Sequence, residues 1–267
     1  MTFLKLLFTL SIIFNTFNAL AENILRMATT TSTENSGLLA VLNPVFEKKY
    51  NCRLDVIAVG TGKALKLGEN GDVDIVFVHA PKAERAFVKA GHGVGRTAVM
   101  HNDFVLVGAK TDLAHASQAK SVIDALQNIA KAKAEFISRG DDSGTHKKER
   151  ALWQTANIVP AGRWYVQAGQ GMGAVLKIAD EKQAYTLSDR GTYLAFQDRI
   201  DLIIIFENDP PLHNPYHIIA INPQRHPHAQ YQLAKRYIDF VTGHEGQAII
   251  GAFKMQGQQL FYPDVIY

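Results

Sequence analysis

From Leu25 onward, short apolar runs alternate with segments whose apolar residues recur at helical spacing, and this alternation narrows the fold more than any other feature. Residues 25–28, 53–59 and 73–78 read as strands. Between them, Leu38, Leu39, Leu42, Val45 and Phe46 share one helical face, and 63–70 forms a short helix. Pro81 opens a further helix that Gly91 ends. The pattern resumes with a strand at 104–108, a helix carrying Val122, Ala125, Leu126, Ile129 and Ala130, a strand at 135–138 and a helix through Trp153. The remaining strands are 164–166, 184–187, 200–206 and 216–221, with a helix ending at Ala179 between the first two. Two helices, 229–241 and 246–253, close the chain. Strands and helices in this order imply an α/β chain whose parallel sheets are covered on both faces. Its 267 residues are enough for two such units. The apolar strands near 104–108 and 202–206 are candidates for crossings between them. One lobe is then discontinuous, 22–103 with 207–267, and the other is 104–206.

At the ends of the strands, hydroxyl-bearing or glycine residues immediately open the next helix. The cases are Thr29-Thr30-Thr31-Ser32-Thr33, Gly60-Thr61-Gly62, Asp142-Ser143-Gly144-Thr145, the Gly169–Gly173 segment with Gly171 at its centre, and Ser188. In an α/β sheet these positions lie at the carboxyl edge, where ligands bind. Helix N-termini there present unpaired N–H groups and a partial positive charge, which suits an anion. Ser and Thr add hydroxyl donors, and glycine lets the backbone come close. Any one of these residues also serves as an ordinary N-cap. A cap, however, uses one hydroxyl, and the run from Thr29 to Thr33 supplies five. Arg139 follows the 135–138 strand and should emerge at the same edge, its guanidinium fork suited to an oxyanion. The alternative for Arg139 is a surface pair with Asp141 or Asp142.

Composition excludes several functions. A formal charge of +3, dispersed over both signs, makes no basic stripe for nucleic acid. The first 21 residues combine Lys5, an apolar core at 6–14 and a small-x-small site, Ala19-Leu20-Ala21, which is the pattern of a cleaved signal peptide. Cys52 is the single cysteine and lies far from that site, so neither a disulfide nor a lipid anchor is expected. Export without an anchor points to a Gram-negative periplasm. No other segment is long and apolar enough to span a membrane. The ten histidines show no paired metal spacing; His226 and His228 sit two apart in a proline-rich loop. Ser143 lacks the setting of a nucleophile elbow, so a serine hydrolase is a remote alternative.

Read in order, Ala28-Thr-Thr-Thr-Ser-Thr-Glu-Asn-Ser-Gly37, Val59-Gly-Thr-Gly-Lys-Ala64, Ser138-Arg-Gly-Asp-Asp-Ser-Gly-Thr-His146, Tyr185-Thr-Leu-Ser-Asp-Arg-Gly-Thr-Tyr193 and Leu212-His-Asn-Pro-Tyr216 resemble the tungstate-binding periplasmic proteins of ABC transporters. The resemblance covers essentially all of the chain after the signal peptide. It implies the type II periplasmic-binding fold, two lobes closing on a dehydrated oxyanion, with two interlobe crossings. In that family the threonine-rich run and the arginine of the Ser-Arg-Gly-Asp segment touch the anion, here Thr30, Thr31, Ser32 and Arg139. The helix-end pattern extends the candidates to Thr61, Ser143, Thr145 and Gly171. The expected ligand is tungstate, with molybdate beside it, and the expected partner is a membrane permease. No cofactor, cationic metal or nucleic acid is expected, and the exported protein should be a monomer outside the membrane. Both oxyanions are unprotonated dianions near neutral pH and call for donors only. Phosphate usually needs a carboxylate acceptor, for which Asp141 and Asp142 are near. Sulfate is also a donor-only ligand and stays open as an alternative.

Overall fold

The computed structural model describes residues 23–265. The signal peptide expected at 1–21 lies outside the described residues. The first elements are β1 (Asn23–Thr30), α1 (Thr31–Asn35), α2 (Leu38–Tyr50), β2 (Cys52–Val59), α3 (Thr61–Asn70), β3 (Ile75–Val78), α4 (Pro81–Lys89) and β4 (Gly93–Gly108). Next come α5 (Val122–Ala132), β5 (Phe136–Ser138), α6 (Gly144–Thr155), β6 (Tyr165–Gln167), α7 (Met172–Glu181), β7 (Thr186–Asp189), α8 (Arg190–Phe196) and β8 (Ile203–Phe206). The chain ends with β9 (His213–Ile221), α9 (Tyr231–Thr242), α10 (His244–Ala252) and the short strands β10 (Lys254–Met255), β11 (Gln258–Gln259) and β12 (Tyr262–Pro263).

The main sheet has the order β12-β4-β9-β3-β1-β2, and β7 and β8 also pair with β4. It is mixed rather than parallel throughout. β1 runs parallel to β2 and β3, whereas β9 lies antiparallel between β3 and β4. The chain reaches β9 from β8 and enters the sheet from the opposite end, so no βαβ crossover precedes it. β4 also starts eleven residues before the run expected at 104–108, at Gly93. Its first part, through Asp103, pairs with β9; Phe104 onward pairs with β7 and β8. Arg96, Thr97, His101 and Asp103 interrupt the apolar pattern in that first part, because those residues are only partly buried. β5 and β6 form a separate parallel pair.

Each face of the sheet has its own core, as the period of two along a strand requires. Met27, Ile75, Phe77, Ile218 and Ala220 belong to one cluster with buried residues of α2, α7, α9 and α10. Ala28, Val76, Val78, Ile219 and Ile221 face α3 and α4. A third cluster joins Phe104 and Leu106 to α5 and α6 through Leu126, Ile129, Leu152 and Trp153. The indole of Trp153 meets Phe136 edge to face at 5.2 Å within this cluster.

Candidate functional site

β1 delivers the threonine-rich run to the carboxyl edge of the sheet. Thr29 is spent on the fold, since its hydroxyl donates to the Phe77 carbonyl at 2.7 Å. Thr30 caps α1, its Oγ1 accepting the Thr33 N–H at 3.2 Å. The same oxygen lies 2.6 Å from Thr33 Oγ1 and 3.1 Å from Ser32 Oγ. Capping and candidate ligand contact therefore fall on one residue, while Thr31 and Ser32 stand toward the opening.

Two longer helices begin at the same place. At α3, Gly60 is the N-cap and Thr61 is buried; a Cβ on Gly60 or Gly62 would meet nothing within 4 Å, so this helix start is open to the cleft. At α6, Ser143 is the N-cap and its Oγ accepts the His146 N–H at 3.3 Å. A Cβ on Gly144 would come within 3.2 Å of the His79 ring and 3.8 Å of Thr61 Oγ1, so a small residue there lets α6 approach the β1–β3 side. Their unpaired N–H groups concentrate positive potential without side-chain charge.

Arg139 lines the same cleft. Left-handed backbone at Gly140 (φ 63°) and Asp142 (φ 59°) folds the segment back on itself. Asp141 consequently accepts from Arg139 Nε at 3.1 Å and from the Ser143 N–H at 3.2 Å. Burial pushes the Asp141 carboxyl up, but the donors from Ser143 and Arg139 outweigh it and hold the group below its usual value. Asp142 pairs with Lys147 at 3.1 Å. Beneath the loop, Glu149 is buried and accepts from Ser138 Oγ at 2.7 Å, Tyr165 OH at 2.7 Å and Trp153 Nε1 at 3.2 Å. Burial raises this carboxyl above its ordinary value, against the bonds from Tyr165, Ser138, Trp153 and the Arg139 N–H.

The residue that sequence inspection missed is His79. It follows β3 directly and is buried, with Nε2 at 3.1 Å from Thr30 Oγ1 and 3.2 Å from Ser32 Oγ. Its ring stacks on Tyr216 with centroids 4.5 Å apart. Nδ1 lies 2.9 Å from Asn214 Oδ1, and Asn214 in turn donates to Asn102 Oδ1 at 2.7 Å. The strand-end rule that selected Thr30 and Thr61 also reaches His79, one residue past the apolar run and two before Pro81.

These elements enclose a cleft of about 380 Å³. Thr30, Thr31, Ser32, Thr61, Arg139, Ser143 and Thr145 all line it, together with His79, Lys63 and Lys147. Gly171 does not. It is the exposed N-cap of α7, and its helix start lies outside the lining; the glycine pattern there serves the turn into the helix. Ser188 is also outside, buried and donating to the Asp189 carbonyl. The cleft adjoins a wider groove of about 1410 Å³ that shares His79, Asp142, Gly144 and Lys147. Among the described residues, no group of three or more His, Cys, Asp or Glu side chains is arranged to hold a metal ion. The cleft offers hydroxyls, helix starts and a guanidinium as donors, and two carboxylates, Asp141 and Asp142, also line it.

A chain with this α/β architecture and such a cleft at the carboxyl ends of its strands is a solute-binding protein of the periplasmic-binding type. Residues 20–245 match the model of the PBP superfamily domain, and the chain belongs to that family. It is 46% identical over 248 residues to the tungstate-binding protein TupA of Peptoclostridium acidaminophilum, which covers 91% of this chain and 87% of that one. It is similar to the crystal structure of the tungstate ABC transporter from Geobacter sulfurreducens, at 57% identity and a TM-score of 0.79, over 86% of this chain and 98% of that one. The tungstate-binding protein TupA from Desulfovibrio alaskensis G20 is 46% identical with a TM-score of 0.84, over 91% of this chain and 100% of that one.

Proposed function

We propose that this chain is an exported periplasmic binding protein that captures tungstate, and molybdate with it, and delivers the anion to the permease of an ABC transporter. The observation that carries it is the convergence of Thr30, Ser32, Thr61, Ser143, Thr145 and Arg139 on one 380 Å³ cleft. A dianion without protons needs donors on every side, and this lining supplies them from the starts of α3 and α6 and from side chains. The two carboxylates that argued for phosphate line the cleft but already have cationic or N–H partners within it: Asp141 has Arg139 and the Ser143 N–H, Asp142 has Lys147. The identity to tungstate-binding relatives over nine-tenths of the chain supports the choice of ligand.

Capture works by closure. One lobe comprises 22–103 with 207–267 and the other 104–206, joined at the Asp103/Phe104 point of β4 and by the segment between β8 and β9. Thr30, Thr61 and His79 belong to the first, Arg139, Ser143 and Thr145 to the second. The anion docks on one set of donors and hinge bending brings the other set onto it. Expelling water then strengthens each charge-assisted bond. The chain acts as a monomer and needs no cofactor. Isothermal titration of the purified chain against tungstate, molybdate, sulfate and phosphate tests this function. Tight binding of tungstate and molybdate with weak sulfate and phosphate is expected. Heat from phosphate alone, or from none of the four, overturns it.

A further inference from the structure

The cleft contains one group whose hydrogen-bonding role must change when an anion arrives. Asn214 spends its amide N–H on Asn102 Oδ1, so it presents Oδ1 to His79 and Nδ1 of the imidazole is the protonated nitrogen. Nε2 of the neutral ring is then an acceptor, and its partners are the hydroxyls of Thr30 and Ser32. Those same hydroxyls line the anion cleft. Thr30 Oγ1 accepts the Thr33 N–H, and with the Thr33 hydroxyl donating across their 2.6 Å contact its own single proton serves Nε2, Ser32 Oγ or the ligand, one at a time.

Resting on the oxyanion function proposed above, we infer that His79 is a further residue of the anion site, taking up one proton at Nε2 as the dianion enters and becoming its second countercharge. The balance is simple. Thr30 and Ser32 turn their hydroxyl protons from Nε2 to the anion oxygens. Nε2 is left with a buried lone pair facing negative charge. A proton from solvent binds there, Nδ1–H stays on Asn214 Oδ1, and the ring becomes a cation that donates into the cleft. Charge matching favours this step, because Arg139 enters the site already shared with Asp141. Burial, the largest influence, keeps the ring below its usual value in the ligand-free chain, and the bond to Asn214 opposes it. The charges that face it from neighbouring elements are Asp189 at the end of β7 and Glu84 of α4, which favour protonation, and Lys148 of α6, which opposes it. From the cleft itself come Arg139, Lys63 and Lys147, opposed by Asp141 and Asp142. Two further negative charges within the cleft tip that balance toward the imidazolium.

The sign of the coupling follows. Bound His79 has a higher proton affinity than free His79, so anion affinity is greatest below the free-state pKa, falls as pH rises from there, and levels off above the bound-state pKa. Titrating tungstate into the protein in buffers of different ionisation enthalpy reads the protons taken up directly. Uptake approaching about one proton per anion near neutral pH, declining at higher pH, is expected. His79→Gln and His79→Asn should bind roughly tenfold more weakly or worse near neutral pH and lose the uptake. No uptake in the parent, or the same uptake in both variants, overturns the inference while tungstate binding itself stands. Should neither variant fold, ¹⁵N shifts of the parent His79 ring decide it. Protonation of Nε2 on adding tungstate supports the inference, and a ring that stays neutral overturns it. A parent that binds no anion overturns the oxyanion function as well, which separates the two failures.

Discussion

Replacing Arg139 by alanine removes the guanidinium from the cleft and leaves Asp141 behind without its cation. The side chains of Arg139 and Asp141 are 14% and 23% exposed, so solvent screens their charges only partly. At roughly 4 Å and an effective dielectric of about 20, a unit charge attracts another by about 4 kcal/mol, and a dianion by about 8 kcal/mol. Desolvation of the arginine and its competition with Asp141 reduce the net effect to about 2–5 kcal/mol, or roughly 30- to 5,000-fold in Kd. Adding Asp141→Asn to Arg139→Ala removes a carboxylate that would repel the anion and should recover about 1 kcal/mol. Titration calorimetry with tungstate measures both changes, and thermal denaturation checks that each variant is folded. An Arg139→Ala protein that melts normally and binds within about twofold of the parent refutes the reasoning and puts Arg139 outside the anion's reach.

Three further outcomes are expected. Glu149→Gln leaves buried donors poorly matched and should cost about 1–3 kcal/mol of stability. The parent should lose stability as pH rises from the ordinary carboxylate range through the raised Glu149 pKa, because the folded state holds the proton longer than the unfolded one. Urea denaturation across that range should show this slope in the parent and not in the variant. Gly140→Ala places a Cβ 2.9 Å from Gln167 Cβ in a left-handed backbone; it should cost about 1–2 kcal/mol in a melt and weaken tungstate binding through Arg139. Phe46→Ala empties a fully buried site against Tyr50, Tyr237 and Phe240 and should cost about 3–5 kcal/mol in urea denaturation, with tungstate affinity of the folded protein unchanged.

Much of the molecule was legible because its chemistry is local. The apolar face of Leu38, Leu42 and Phe46 is set by spacing within one helix, and all three are buried. Thr30, Thr61 and Ser143 follow from the rule that helices starting at the carboxyl edge of a sheet need small polar openings, and all three reach the cleft. What depends on the partner strand was hidden. No residue of β9 declares that it runs antiparallel between β3 and β4. The first part of β4 mixes partly buried Arg96, Thr97 and His101 with fully buried Val99 and Met100, and its register shifts against β9, so no clean alternation marks it. Gly171 satisfied the same local rule as Thr61, yet β6 and α7 carry it away from the lining. His79 failed to stand out for the opposite reason. Its role comes from Asn214 and Asn102, which orient the ring from distant parts of the chain, and from hydroxyls that belong to β1 and α1.

Anomalous diffraction at the tungsten edge, from crystals grown with tungstate, locates the metal atom without assumptions about the surrounding side chains. A single strong peak should lie in the cleft, its oxygens within hydrogen-bonding distance of Thr30, Ser32, Thr61, Ser143 and Arg139. A peak elsewhere on the molecule, with that cleft empty or filled only by water, would contradict the assignment of these donors to the anion.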